Sequence, residues 1–261
     1  MRILKLVLPI FVLTFCALGF LIAPHNPHAM IASNKYALAG AAYPFGADQY
    51  GRCVFSRILY GGQVTLGIVL IGAAIVLIVG IVIGLFLGRI GEKKGLLWSS
   101  ILDAVTAIPP LAYLIIFIGI WGNSIPTMLV ALTVSLILRM IKLVKTQTEI
   151  ELEKAYILCA VSSGASKGRV LFVHILPNII RPLVHFLCLS CAEMIMSISA
   201  FSFIGLNLGD SVIDWGSMLQ ESRMVASIRP ALAYLPILFI FACTLSFHVI
   251  AKQLEGGEEN A

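Results

Sequence analysis

The chain has 261 residues, of which 59% are hydrophobic and 12% charged, with a mean hydropathy of +0.99. Soluble globular domains run near 45–50% apolar and about 25% charged, so this composition excludes a soluble enzyme or binding module and describes a polytopic membrane protein. The net charge of +5 does not indicate a nucleic-acid partner, because no basic face is interleaved with aromatic residues.

A hydrocarbon core of about 30 Å takes about 20 residues at helical rise. Six apolar runs meet that length, over residues 4–23, 64–88, 97–121, 124–145, 175–204 and 231–251. No stretch sustains the alternation of a membrane barrel, so the expected fold is all-α with six transmembrane helices. The first run follows Arg2 and Lys5, but Leu6 to Ala23 is longer than the apolar region of a signal peptide, about 7–15 residues. It reads as a span.

Of the six cysteines, Cys16, Cys188, Cys191 and Cys243 lie inside apolar runs. They read as small hydrophobes, since the C-x-x-C of Cys188 and Cys191 has no second pair and no histidine cluster beside it. His185 and His248 are lone imidazoles in apolar runs and read as helix contacts. His25 and His28 belong to a loop, so no metal site is expected.

In the second run, Gly80, Gly84 and Gly88 recur every four residues, the spacing at which one helix lets another approach closely. They are read as a helix-packing face. In the fifth run, Glu193 is the one carboxylate far from either end, and an isolated carboxylate in a span is costly unless it faces water or a partner. Two readings stay open for it: a place on a translocation path, or a polar contact to another subunit.

With the amino terminus in the cytoplasm, only Lys35, Arg52, Arg57, Arg223 and Arg229 fall on the outer side, leaving thirteen of the eighteen Lys and Arg inside. The positive-inside bias favours that orientation. It places one long segment, between the fourth and fifth runs, in the cytoplasm. Connections between neighbouring helices usually take about 2–8 residues, yet "TEIELEKAYILCAVSSGASKGRVLFVHILPN" intervenes here. It is expected to form two short helices meeting at Gly164, with Ser166 capping the second and Pro177 opening the fifth span. On spacing alone it is either a docking knob or an interfacial helix lying on the headgroups.

Four motifs, in order, carry a resemblance that decides between these. Leu158, Cys159, Ala160 and Gly164, followed by Ile175, Leu176, Pro177 and Asn178, resemble the E-A-A-x-x-x-G … I-L-P loop of binding-protein-dependent ABC importer permeases, with Leu158 and Cys159 standing where the family has Glu and Ala. "YPFGADQYGRCVFSRILYGGQVTLG" (43–67), "LDAVTAIPP" (102–110) and "FSFIGLNLGDSVIDWGSMLQESR" (201–223) are similar to the second permease of the dipeptide, oligopeptide and nickel importers. The likeness covers roughly residues 43–251.

The resemblance implies a type I ABC importer permease of short peptides or of nickel and metal chelates, set in the cytoplasmic (plasma) membrane of a bacterium or archaeon. Its implied partners are a homologous second permease, two cytoplasmic ATPases and an extracytoplasmic solute-binding protein. The segment after the fourth span would be the coupling helix, with Leu158, Cys159, Ala160, Ser163 and Gly164 docking on an ATPase. The chain divides accordingly into a first helix and outer loop (1–62), a permease core (63–251) that includes coupling segment 153–174, and a tail (252–261). No cofactor is expected in this chain: no G-x-x-x-x-G-K-[ST] cradles a phosphate, so ATP and Mg would be bound by the partner subunits. A stand-alone secondary transporter is the alternative, and an intramembrane enzyme a lesser one, lacking H-E-x-x-H, G-x-S-x-G or paired intramembrane aspartates.

Overall fold

The computed structural model describes residues 2–90, 92–209 and 211–255. Ten α-helices are present among them: α1 (Arg2–Leu18), α2 (Val54–Leu87), α3 (Glu92–Thr106), α4 (Pro110–Trp121), α5 (Ile125–Leu152), α6 (Ala155–Ser162), α7 (Lys167–Arg169), α8 (Leu176–Phe203), α9 (Trp215–Ser222) and α10 (Ala231–Glu255). Four stretches are long and apolar enough to cross a membrane: α2, α5, Lys167–Phe203 and α10. Of the expected tail, residues 256–261 lie outside the described residues, and Lys252 belongs to α10.

Three expectations change. The run 97–121 is not one straight span, because α3 and α4 meet at a bend of 73°. Pro109 precedes Pro110: its own ring fixes φ at −59°, and the ring of the second proline holds its ψ at 142°, outside the helical region. The second expected boundary, at residues 62 and 63, falls inside α2, which begins at Val54. Finally, the short helix that Ser166 caps, α7, does not stand apart but runs on into the fifth span. The chain runs without a break from Lys167 to Phe203, so the fifth span begins ten residues before Pro177 and inside the expected coupling segment. A π-turn over Val170–Ile175 widens the helix just ahead of Pro177, where an ordinary α-turn would meet the proline ring. The Asn178 side chain donates to the His174 carbonyl at 2.8 Å, keeping that acceptor satisfied.

The packing is built around α2 and α5, which run side by side in the same direction. Along this contact the glycines have no room for a side chain. A Cβ on Gly80 would stand 2.2 Å from Met140 Cγ, on Gly84 2.5 Å from Val144 Cβ, and on Gly88 2.6 Å from Thr148 Cβ. Gly72 meets Met194 of α8 in the same way, at 2.4 Å. Beyond this pair, α8 packs along α10 and α10 along α1. The bundle therefore has two ends: one carrying α6, the other carrying α9 and the loop before α2.

Candidate functional site: the two ends of the bundle and a charged face between them

At the α6 end, Ile157 is 2% exposed and joins Val170, Leu171 and Ile175 in the core. Its neighbours point away from the bundle: Leu158 is 62% and Val161 54% exposed, Cys159 and Ser163 are exposed and Ala160 half-buried. Gly164 ends the helix at φ +84°. There Ala165 N–H donates to Ala160 O at 3.0 Å and Gly164 N–H to Val161 O at 2.9 Å, the Schellman pattern, which needs a left-handed residue at this position. Ser166 then caps the following turn by accepting from Arg169 N–H at 3.4 Å. Leu158, Cys159, Ala160, Ser163 and Gly164 thus share one small protruding knob.

Tyr156 fixes that knob to the spans. Its hydroxyl donates to the Glu151 carboxylate at the end of α5 and accepts from Asn178 Nδ2 at 2.9 Å at the start of α8. Burial and the Glu151 carboxylate both push the Tyr156 hydroxyl up in pKa, so it stays protonated and keeps donating. Lys154 closes the corner with a 2.5 Å contact to Glu151. In the sequence Asn178 was visible only as the last residue of the motif tail, and Tyr156 did not stand out by charge or spacing.

The opposite end is tied by charge. Arg57 Nη1 lies 2.7 Å from Asp48 Oδ2 and 2.7 Å from Glu221 Oε2, while Arg52 Nε lies 2.6 Å from Asp48 and also pairs with Glu221. Burial raises the Asp48 and Glu221 carboxyls, but the hydrogen bonds and charges of Arg52 and Arg57 outweigh it and hold both below the ordinary carboxylate range. Beside this cluster α9 opens with a capping box, Asp214 accepting from Gly216 N–H at 2.8 Å and from Ser217 N–H at 3.2 Å. Burial pushes the Asp214 carboxyl up. Trp215 is fully buried over Gly61 and Gly62, and its indole donates to Ile58 O at 3.0 Å. Two of the quoted sequence motifs, 43–67 and 201–223, are thereby locked together.

Between the ends, Glu193 is not isolated. Arg139 Nη1 donates to both of its oxygens, at 3.2 and 3.1 Å, and Lys142 pairs with Asp103 at 2.5 Å. The histidines are engaged locally: His185 lies 3.1 Å from Glu255, and His248 Nδ1 lies 2.9 Å from Thr244 O. Among the described residues no group of three or more His, Cys, Asp or Glu is placed to hold a metal ion.

A helical bundle with several apolar spans and a knob at one end defines a multi-pass membrane protein. Residues 80–257 match the family described as Binding-protein-dependent transport system inner membrane component, and the chain belongs to that family of ABC importer permeases. It is 30% identical over 222 residues to the dipeptide transport system permease protein DppC of Alkalihalophilus pseudofirmus, covering 85% of this chain and 73% of that one. The glutathione transport system permease protein GsiD of Shigella dysenteriae is 33% identical over 214 residues, 80% of this chain and 69% of the relative. The di/tripeptide transport system permease protein DppC of Pseudomonas aeruginosa is 27% identical over 249 residues, 93% and 82% of the two chains.

Proposed function

We propose that this chain is one of two permease subunits of an ATP-driven importer of short peptides, contributing half of the translocation path. Counting α1 and the bent α3–α4 pair as one span each gives six and sets both termini on one side, and the excess of Lys and Arg there assigns the amino terminus and the α6 end to the bacterial or archaeal cytoplasm. The α9 end then faces outward, toward a solute-binding protein. The relatives named for dipeptides, di/tripeptides and glutathione support short peptides over nickel or metal chelates. ATP and Mg belong to two partner ATPase subunits, and Glu193 lies along the path.

The observation that carries this reading is the α6 knob. Exposed apolar side chains on a short helix, braced through Tyr156 to both adjoining spans, can pass a push from a docked subunit to α5 and α8 together. Leu158, Cys159, Ala160, Ser163 and Gly164 form the docking surface. Leu158 makes that surface apolar where the family carries a carboxylate, so the partner groove is expected to offer an apolar seat there.

The test is uptake into proteoliposomes holding the intact importer, with labelled dipeptide and with radioactive nickel, free and chelated, for the native chain and for Gly164→Trp. ATP-dependent accumulation of the dipeptide, abolished by Gly164→Trp with insertion intact, is expected. ATP-independent uptake with a Trp variant equal to the native chain would sink the coupling assignment. Accumulation of nickel alone would move the substrate to metals.

A further inference from the structure

The charges inside the spans form a ladder on one face. Arg139 and Glu193 are 33% and 42% exposed in their pair, Lys142 and Asp103 50% and 55% in theirs. Arg139 and Lys142 lie three residues apart on α5, neighbours on one helix face. Ser135 and Thr146 extend that line by one turn at each end, and Glu193 and Ser197 stand one turn apart on α8. Ser135, buried at 4% exposure, packs together with Glu193 and Ser197 beside Pro110, where the bent span restarts as α4.

Four half-open charges in segments this apolar cannot be turned to acyl chains without a large cost, so this face meets water or protein. Each pair is neutral, yet neither is saturated. Among the hydrogen bonds of the described residues, Arg139 donates through Nη1 alone, leaving Nε and Nη2 of its planar fork able to take a second carboxylate. Glu193 is likewise 42% exposed and open to a second cation.

We propose that Asp103, Arg139, Lys142 and Glu193 form the step of the path that holds the charged termini of the transported peptide. This rests on the permease reading above and assigns its substrate selectivity to four residues. The peptide's α-carboxylate exchanges onto Arg139 or Lys142 while its α-ammonium exchanges onto Glu193 or Asp103. Adjacent side chains on a helix face stand about 5–6 Å apart, and the two ends of an extended dipeptide about 7 Å apart at roughly 3.3–3.6 Å per residue, so one short peptide spans adjacent rungs. The exchange keeps the site electrically neutral. A peptide blocked at one end leaves one protein charge without its partner, which is where selectivity arises.

The test uses the full importer in proteoliposomes with saturating binding protein, and labelled dialanine, N-acetyl-dialanine and dialanine amide. The native importer is expected to favour the free dipeptide by about tenfold or more, equivalent to about 1.4 kcal/mol. Glu193→Gln narrows the gap to the acetylated peptide, and Arg139→Gln the gap to the amide. Arg139→Glu combined with Glu193→Arg keeps an ion pair for assembly while changing both ratios. A photoreactive dipeptide handed over by the binding protein should label α5 or α8 of this chain. Equal losses for all three peptides in both single variants, native ratios in the exchanged pair, or labelling confined to other elements would overturn the assignment while leaving the permease reading standing. No ATP-dependent uptake of any peptide by the native importer would remove that reading, and the inference with it.

Discussion

The two ends of the bundle are built on opposite principles. At the α9 end, four charged side chains from the loop, α2 and α9 neutralise one another, with Arg57 almost wholly buried beside Trp215. At the α6 end, a single buried side chain, Ile157, holds a helix whose other apolar residues stand in the open. The first end is finished by its own chain. The second is braced from within and leaves its apolar surface open, which on the function proposed above is where a partner subunit docks and from which strain is passed on to the spans.

That contrast is broken most strongly at Arg57. Arg57→Ala leaves Asp48 and Glu221 facing each other with Arg52 alone to compensate, and removing one partner from a buried ion pair costs about 3–5 kcal/mol. The expected result is a large fall in the unfolding temperature in detergent and in membrane yield, read by scanning fluorimetry. A loss within experimental scatter would show that the cluster does not hold this end together.

The spine joining the ends gives a smaller effect. Gly84→Ala would set a methyl 2.5 Å from Val144 Cβ and 3.0 Å from Ile141 O, so α2 and α5 must separate locally. Overpacking of this kind costs about 1–3 kcal/mol. Because Val144 Cβ lies 2.5 Å and Val144 Cγ1 2.7 Å from that methyl, Val144→Ala should give part of the relief and Val144→Gly more of it. A double-mutant cycle on unfolding free energies measures that difference.

Much of this architecture was legible in the sequence because membrane spans announce themselves by length and apolarity, and a four-residue glycine repeat marks a close-packed face. The π-turn and the early start of the fifth span were not, since Lys167, Gly168 and Arg169 look like a loop by composition while the helix simply extends beyond the apolar run. The bend at Pro109 is masked by uninterrupted hydropathy on both sides. Glu193 read as isolated because its partner Arg139 lies 54 residues earlier. Likewise, the charges of Asp48, Arg52 and Arg57 are visible in one motif, but only the fold shows that Glu221, 164 residues after Arg57, completes their cluster.

The most delicate change sharpens the other end. Tyr156→Phe keeps the ring and removes one hydroxyl that links α6 to Glu151 on α5 and Asn178 on α8. Hydrogen bonds of this sort contribute about 0.5–1.5 kcal/mol, and somewhat more when one partner is charged, so global stability should fall little. Transmission should suffer more, because a docked subunit would still hold the knob while the knob holds the spans less firmly. The expected outcome is near-normal assembly and ATP hydrolysis with fewer peptides imported per ATP, measured on the reconstituted importer, together with faster amide exchange across α6. If Tyr156→Phe leaves the transport-to-hydrolysis ratio unchanged while exchange in α6 does accelerate, the brace is structural only, and Ile157 alone must carry the push from α6 into α5 and α8.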